Sequence, residues 1–222
     1  MRNLSEKTLV QKLDKILKKE FGTNLAFHEF SAGYGIADLV FAPDFSFRKN
    51  DIKRTPLTDF NCLNLLISLE KGEIYSLDQI RDFSPSLDIQ NLKKNLNLLV
   101  NNQYMKKISA NSYVKIGEKD ELNQIKKIIA IEVKLSDHKG GLVQARRYQY
   151  FADESYLAIL KEAKKNIDFR EFNKYNIGLI LFDTATNTIE IKSPKRRNQN
   201  NEDNVSIFAK QMMLSRFLSF SS

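Results

Sequence analysis

The stretch Ile128-Ile129-Ala130-Ile131-Glu132-Val133-Lys134-Leu135 constrains the fold more than any other part of this sequence. Its apolar residues run almost without interruption, which is typical of a buried inner strand. Side chains alternate along a strand, so Glu132 and Lys134 project from the same face. Burying a charge is costly unless the charge is paired or binds a metal. This strand therefore predicts either a functional site or an ordinary ion pair at a strand end that reaches solvent.

A second short apolar strand carries a single acidic residue. Gly33-Tyr34-Gly35 leads into Ile36-Ala37-Asp38-Leu39-Val40-Phe41, so Asp38 lies near the middle of this strand. Two inner strands with one carboxylate each can bring the two acids together. The pattern therefore predicts that Asp38 meets Glu132 in the folded chain.

A helix is expected shortly after the Glu132 strand. Gly140-Gly141 is predicted to break the chain, and the helix-like stretch Leu142–Tyr148 follows it. In this stretch Gln144 and Tyr148 are four residues apart and share one helix face. Both side chains can therefore point toward the same neighbour.

Taken together, Asp38, Glu132-Val133-Lys134 and the helix from Gln144 to Tyr148 resemble the PD-(D/E)XK nuclease superfamily. In that family's core the Asp and Glu lie on adjacent strands, the Lys lies two residues after the Glu, and the next helix can supply a Gln and a Tyr. The resemblance covers about residues 1–50 and 120–192. It implies an α/β, restriction-endonuclease-like core with a central mixed β-sheet flanked by helices.

The chain departs from the family at the proline that gives the family its name. Ala37 stands before Asp38, whereas a literal Pro43-Asp44 occurs six residues later. Pro43 ends the strand because proline cannot donate to a sheet ladder, so Asp44 is predicted to open a turn. Asp38 is therefore the better candidate for the family's aspartate.

The resemblance implies a metal-dependent nuclease that hydrolyses DNA phosphodiester bonds with Mg²⁺, with Mn²⁺ as a possible substitute. The implied metal ligands are Asp38, Glu132 and the carbonyl of Val133, since Mg²⁺ takes a few oxygen ligands and keeps several waters. Lys134 would orient or help to deprotonate the attacking water and offset charge in the transition state. Gln144 would hold phosphate or water, and Tyr148 would pack beside it.

The first helix offers a further acidic ligand. Apolar residues at helical spacing form a stripe from about Leu4 to Phe21, and both Glu6 and Glu20 fall within this stripe. Family members often contribute a helical Glu to the metal site, and Glu6 is the preferred candidate here. Asn3-x-x-Glu6 also fits a helix-capping pattern, which gives Glu6 a purely structural alternative. Glu29, in a predicted strand, is a third possibility.

Composition is compatible with a polyanionic partner. The 222 residues include 35 Lys+Arg against 27 Asp+Glu, for a formal charge of +8, and the sequence pI is near 9.4. Cys62 is the single cysteine, which excludes disulfides and thiol metal clusters. Neither a signal peptide nor a membrane span is predicted, so a cytoplasmic location is expected.

The two motif strands are separated by about ninety residues, which predicts an inserted domain over residues 58–118. Residues 1–57 and 119–222 would then form a discontinuous nuclease core. Three helices and a hairpin are predicted in the insert: Thr58–Leu69, a short helix with a Ser76–Gln79 capping box, Ile89–Val100, and strands Tyr104–Ser109 and Tyr113–Ile116. This order resembles a winged helix-turn-helix.

The predicted insert is electrically neutral. It contains seven basic and seven acidic side chains, so the whole excess of +8 lies outside it. Phosphate contacts supply most non-specific affinity for DNA, so a neutral module is a weak generic binder. Lys93 and Lys94 on the third helix can still contact a groove. The alternative is a module for protein interaction or spacing.

Further strands are predicted at Ser155–Leu160, Ile177–Phe182 and Thr188–Lys192, followed by a polar tract and a final helix over about 207–218 that docks on the core or forms a dimer contact. Five basic residues outside the insert are either solvated surface or contacts to a DNA backbone: Arg146, Arg147, Lys195, Arg196 and Arg197. His28 and His138 lack metal-ligand spacing.

Three functional hypotheses follow from the sequence. The first is an endodeoxyribonuclease, for which a homodimer is a compatible arrangement because a double-strand break needs two sites. The second is a non-catalytic nucleic-acid-binding protein that retains the fold, against which an intact Asp38, Glu132 and Lys134 would count. The third is a nuclease subunit that cuts only with a partner protein, which would dock on the neutral insert.

Overall fold

The structure is a computed structural model that describes residues 4–46, 48–196, 198 and 203–220. Its helices are α1 Glu6–Glu20, α2 Phe60–Ser68, α3 Leu77–Asp82, α4 Ile89–Asn101, α5 Lys119–Leu122, α6 His138–Tyr148, α7 Phe169–Tyr175 and α8 Asn204–Ser219. Its strands are β1 Ala26–Ser31, β2 Ile36–Phe41, β3 Ile74–Ser76, β4 Met105–Ser109, β5 Ser112–Lys115, β6 Ile129–Lys134, β7 Glu154–Leu160, β8 Gly178–Asp183 and β9 Thr188–Lys192. Short 3₁₀ helices lie at Lys49–Asp51 and Lys161–Asn166.

The chain forms two compact units. The first unit comprises Met1–Phe45 and Ile125–Ser206, and the second unit comprises Ser46–Gln124 and Ile207–Ser222. The sequence predicted an insert over residues 58–118 and placed everything after residue 119 in the core. In the structure the second unit begins earlier, ends later and also includes most of α8.

The first unit is built on a mixed six-stranded sheet with the order β1-β2-β6-β7-β8-β9. β2 is antiparallel to both β1 and β6, whereas β6, β7 and β8 are parallel to one another, and β9 is antiparallel to β8. The predicted α/β class, with a central mixed sheet flanked by helices, is confirmed. The predicted turn before β9 is also present, with Asn187 in the left-handed region at φ 57°.

Helices cover both faces of this sheet, which explains why β6 is apolar along nearly its whole length. On one face, Leu9, Leu13 and Leu17 of α1 pack with Ile131 and other strand residues. On the other face, Leu142 and Ala145 of α6 and Phe172 of α7 pack with residues of β7 and β8. Glu132 and Lys134 alternate with β6 residues of the α1 face, so they lie on the α6 side.

Helix α6 begins earlier than the sequence predicted. Gly140 and Gly141 do not break the chain; they lie in the first turn of α6, where the Asp137 side chain caps the helix by accepting from the Gly140 amide at 2.9 Å. A Cβ on Gly141 would lie 2.5 Å from a Leu157 methyl and 3.0 Å from Cγ of Lys134. Gly141 therefore allows the helix start to pack directly on β6 and β7, whereas Gly140 leaves room for the capping side chain of Asp137.

The second unit follows the chain order α2-β3-α3-α4-β4-β5, with an antiparallel sheet ordered β3-β5-β4. The predicted capping box is confirmed: Ser76 and Gln79 each accept from the other's backbone amide. Strand β3 was not predicted, because three residues are too few to show an alternating pattern. Cys62 is buried in this unit, and burial raises the pKa of its thiol to about 12.

From Ile207 onward, α8 belongs to the second unit rather than to the unit that contains the six-stranded sheet. Ile207 belongs to the apolar core of the second unit. The Gln211 side chain accepts from the Leu57 amide at 2.9 Å and donates to the Leu122 carbonyl at 2.8 Å. These bonds are between positions far apart in the sequence, which is why the helix pattern alone could not indicate its partner. In the part of the chain that the structure describes, no helix is both long enough and apolar enough to span a membrane.

Candidate active site

Asp38 and Glu132 come together where β2 and β6 separate. The last paired residues of the two strands are Leu39 and Ile131, and continuing this register by one residue places Asp38 opposite Glu132. The Asp38 carboxylate accepts from the Val133 backbone amide at 2.7 Å. The side chain of Asp38 therefore takes over a hydrogen bond at the end of the ladder and is held beside β6.

Glu132 is clamped between two donors. It is only 2% exposed, and its Oε1 lies 2.7 Å from Nζ of Lys134. Its Oε2 accepts from the hydroxyl of Tyr148, which is also within 2.7 Å of the Ile36 carbonyl. The carboxylate thus has a fixed orientation between β6 and α6. The sequence identified Glu132, Lys134 and Tyr148, but the contact with Ile36 had no sequence signal because it involves only backbone.

The surroundings of Asp38 and Glu132 raise the pKa of both carboxyl groups. Burial raises the pKa of Asp38, and the charges of Glu6 and Glu29 add to this, although the Val133 amide and Lys134 act in the opposite direction. Burial also raises the pKa of Glu132, and so does the charge of Asp38, against the hydrogen bonds from Lys134 and Tyr148. The surroundings therefore disfavour the ionised form of each carboxyl group. A positive charge nearby would reduce this cost.

Lys134 is held in its charged form. Partial burial lowers the pKa of Lys134, but the hydrogen bond and charge of Glu132 outweigh this effect and bring the pKa above its ordinary value. Burial and the nearby Glu132 raise the pKa of Tyr148, so its hydroxyl stays neutral and acts as a donor. At neutral pH Lys134 is therefore suited to stabilise negative charge rather than to remove a proton.

Glu6 lies beside this pair. Its Oε1 accepts from the Leu135 amide at 3.4 Å, just beyond the end of β6. The cap of α1 is Ser5, which accepts from the Thr8 amide, so Glu6 is the first helical residue and does not fill the third position that a capping box requires. The capping alternative for Glu6 is therefore wrong, and Asn3, its supposed partner, lies outside the described residues.

Glu29 also faces Asp38, whereas Glu20 does not. Glu29 has a left-handed φ of 48° and lies between the paired residues His28 and Phe30 of β1, which places it opposite Asp38 by count. An open pocket of about 290 Å³ is lined by Glu6, Glu29 and Asp38 together with Lys7, Val10, Gln11 and His28. Glu20 is exposed at the far end of α1, roughly 21 Å along the helix axis from Glu6.

Gln144 lies on α6 one turn before Tyr148 and is half-buried. No residue that the structure describes forms a hydrogen bond with its side chain, so its amide is available to another group. The literal Asp44 is exposed in the turn after β2 and takes no part in the site. His28 is tied to α1 through a 3.3 Å contact between its Nε2 and the Asp14 carboxylate.

The predicted basic residues of the helices lie in different units of the chain. Arg146 and Arg147 are exposed on α6 and line an open cleft of about 590 Å³ with Val143, Gln149, Tyr150 and Asp203. The Arg146 guanidinium lies 3.8 Å from the centre of the Tyr175 ring. Lys93 and Lys94 are exposed on α4 of the second unit.

Two members of the basic triplet, Lys195 and Arg196, are described by the structure. Lys195 and Arg196 are exposed, and the Arg196 backbone bonds to the side chain of Asn176 at 2.9 and 3.2 Å. The Asn176 carbonyl in turn accepts from Gln149, a residue of the cleft that contains Arg146 and Arg147. Arg197 lies outside the described residues.

Comparison with known proteins adds no family assignment. No protein-family model, curated protein or solved structure matches this chain. Among the described residues, no group of three or more His, Cys, Asp or Glu side chains is arranged to hold a metal ion.

Replacing Tyr148 with Phe tests whether the orientation of Glu132 matters for the nuclease activity that the sequence predicts. The variant loses the donor to Glu132, so we expect cleavage to fall roughly 10- to 100-fold, with a stability loss of about 1 kcal/mol. Tyr156→Phe is the matched control, because Tyr156 is equally buried and its hydroxyl bonds to Glu154 at 2.9 Å. Equal losses of cleavage in both variants would show that Tyr148 acts only through stability.

Proposed function

We propose that the first unit is a metal-dependent nuclease of the PD-(D/E)XK type that hydrolyses DNA phosphodiester bonds. The observation that carries this proposal is the convergence of Asp38, Glu132 and Lys134 from two adjacent strands. Asp38 bonds to the backbone of β6 between the other two residues, and Lys134 lies 2.7 Å from Glu132. Buried charges of this kind are costly to maintain, so a catalytic role explains them better than structural stability does.

Magnesium fits the oxygen atoms that the site offers, and Mn²⁺ can substitute. No described residue donates to Oδ1 of Asp38, and each carboxylate oxygen of Glu132 keeps a lone pair beyond its present hydrogen bond. Mg²⁺ is commonly bound by one or two carboxylates and several waters, so Asp38 and Glu132, with the Val133 carbonyl as a third ligand, are sufficient. When bound, the metal would offset charge on the phosphate and lower the pKa of a bound water.

The other residues have distinct roles in this proposal. Lys134 supplies a fixed positive charge for the negative charge that develops on the phosphate. Gln144 offers its amide to a phosphate oxygen or a water. Tyr148 is a positioning residue, because it acts through Glu132. Glu6 and Glu29 raise the negative potential around Asp38 and so increase the attraction for a divalent cation.

We further propose that the second unit is a winged helix inserted into the nuclease core. Its chain order and its sheet of β3, β5 and β4 support this proposal. On α4 the exposed Lys93 and Lys94 lie near the exposed amides of Asn91 and Asn97, which suits contact with a DNA groove. The neutral charge of residues 58–118 makes this contact weak unless other residues add to it.

A second candidate function is a nuclease subunit that depends on a partner protein. The observation in its favour is the set of large apolar side chains that the second unit exposes, among them Ile74 at 62%, Ile108 at 51% and Phe83 at 46%. Such residues on a neutral surface suit a protein contact better than a phosphate backbone. In this case the first unit would carry the same residues but would be inactive alone.

The decisive experiment is to incubate the purified protein with plasmid and with single-stranded DNA, in Mg²⁺ or in EDTA. We expect cleavage that requires the metal and is lost in Lys134→Ala. Retarded DNA migration without cleavage would instead support the non-catalytic binding protein. Neither binding nor cleavage by the isolated protein would favour the partner-dependent subunit.

A further inference from the structure

Two tyrosines stack on each other at the surface of the first unit. The rings of Tyr34 and Tyr150 have centroids 4.7 Å apart and planes inclined by 23°. Tyr34 is 36% exposed and Tyr150 is 57% exposed, so the pair is not part of a core. Each ring has one face against its partner, and the 57% exposure of Tyr150 leaves part of the pair accessible to a further planar group.

The pair is connected to the residue that orients Glu132. Tyr34 lies between Gly33 and Gly35, whose φ values of 93° and 110° form the turn between β1 and β2. A Cβ on Gly35 would lie 3.4 Å from the Tyr148 ring, and the carbonyl of the next residue, Ile36, is 2.7 Å from the Tyr148 hydroxyl. Tyr150 follows Tyr148 by two residues. The stacked pair is thus anchored next to the candidate active site.

The surroundings of the pair combine apolar and basic groups. Ile36 is 61% exposed and Val143 is 50% exposed, so both offer apolar surface to solvent. Tyr150 shares its open cleft with Arg146 and Arg147, while Asp203 contributes one acidic group to the same cleft. Aromatic rings beside arginines are the features that bind single-stranded nucleic acids, with bases on the rings and phosphates on the cations.

We propose that Tyr34 and Tyr150 form a stacking platform for an unpaired nucleobase, so that this surface binds DNA with unpaired nucleotides next to the cleavage site. The cleavage part of this statement rests on the proposed function; the stacking part does not. Bases within an intact duplex stack on one another and cannot reach the rings without unpairing, which costs a few kcal/mol. The expected substrates are therefore single strands, flaps and unpaired ends rather than continuous duplex.

A single tryptophan can report on this contact, because the chain contains none. Tyr150→Trp places the fluorophore on Tyr34, where a stacked base would quench it. In EDTA, we expect oligothymidylate to quench this signal in a saturable, salt-dependent manner, whereas a blunt duplex of the same length does not. Phe83→Trp is the matched control, since Phe83 is an exposed aromatic residue of the second unit, and we expect no quenching there.

Changes at Tyr34 make the test specific to stacking. In the Tyr150→Trp background, Tyr34→Leu is expected to weaken oligothymidylate binding about 5- to 150-fold, which corresponds to the range of about 1–3 kcal/mol for one base–aromatic contact. Tyr34→Phe keeps the ring and is expected to retain binding. Because Tyr34 is partly exposed at a turn, thermal melting of both variants is expected to match the parent, which separates lost stacking from lost folding.

Equal quenching by duplex and single strand, or unchanged affinity in Tyr34→Leu, would overturn the platform. Quenching in the Phe83→Trp control as strong as at Tyr150 would overturn it as well. These results are independent of cleavage. Stacking without any metal-dependent cleavage would leave the platform intact and reject the nuclease, whereas cleavage of duplex and single strand at equal rates with no effect of Tyr34→Leu would do the reverse.

Discussion

Replacing Asp38 with Asn is expected to abolish cleavage and, at the same time, to stabilise the protein in the absence of metal. Cleavage should fall by roughly 10³-fold, because a neutral amide cannot offset the charge of a divalent cation as a carboxylate does. The amide oxygen can still accept from the Val133 backbone, so the local structure is retained. The melting temperature of the metal-free variant should rise by a few degrees, because a buried negative charge is removed.

The pH dependence of this stabilisation has a definite sign. Burial raises the pKa of Asp38 in the folded protein above its ordinary value of 3.8. Such a carboxyl group stabilises the folded state below the ordinary pKa, and this contribution is lost as the pH rises through the folded-state pKa. Wild type and Asp38→Asn should therefore melt alike near pH 3 and diverge at neutral pH, with the variant more stable.

The effect of Mg²⁺ on the melting temperature tests the same variant independently of cleavage. Mg²⁺ is expected to raise the melting temperature of the wild type, because a ligand that binds only the folded state stabilises it, and to have no effect on Asp38→Asn. Asp44→Asn is the matched control, since Asp44 belongs to the literal Pro-Asp pair but lies exposed in a turn. If Asp44→Asn lost the Mg²⁺ response and Asp38→Asn kept it, the identification of Asp38 would be wrong.

The sequence predicted those elements of the first unit whose pattern of apolar residues follows from their burial. Strand β6 has the length and apolar run that two covered faces require, and β9 was predicted at its observed residues, Thr188–Lys192. The meeting of Asp38 with Glu132 also followed, because it needs only two neighbouring strands with one acid each. The resemblance to a known family supplied the roles expected for these residues.

Other parts of the site depend on backbone geometry that local patterns do not encode. Glu29 faces Asp38 because its φ is left-handed within β1, a conformation that is uncommon for a glutamate. The start of α6 was predicted too late because glycines normally disfavour helices. Here the absence of a Cβ on Gly140 and Gly141 avoids clashes with Asp137, Leu157 and Lys134. The stacking of Tyr34 on Tyr150 joins positions more than a hundred residues apart, and only the glycines around Tyr34 indicated a special turn.

The second large effect is expected at the buried ion pair. Lys134→Ala leaves Glu132, which is 2% exposed, with a charge that Tyr148 alone must compensate. Removing one partner of a buried pair typically costs about 3 kcal/mol or more, so we expect a loss of this size near pH 8, measured by chemical denaturation. Lys161→Ala is the matched control, because Lys161 pairs with Asp183 at 2.8 Å but is half-exposed, and such pairs contribute little.

Adding Glu132→Gln to Lys134→Ala separates the electrostatic effect from lost packing. Without Lys134 the pKa of Glu132, which burial already raises above its ordinary value of 4.5, should rise further. A raised carboxyl pKa stabilises the folded state at low pH, and this contribution is lost as the pH rises through the folded-state pKa. The deficit of Lys134→Ala should therefore shrink as the pH falls through the raised pKa of Glu132, and it should be smallest below the ordinary value of 4.5. The double variant has no carboxylate to bury, and we expect it to recover most of the stability at pH 8 while it remains inactive. A deficit that persists in the double variant at every pH would show that Lys134 contributes through packing of its aliphatic chain, and the charged contact between β6 residues would then not be the reason for its burial.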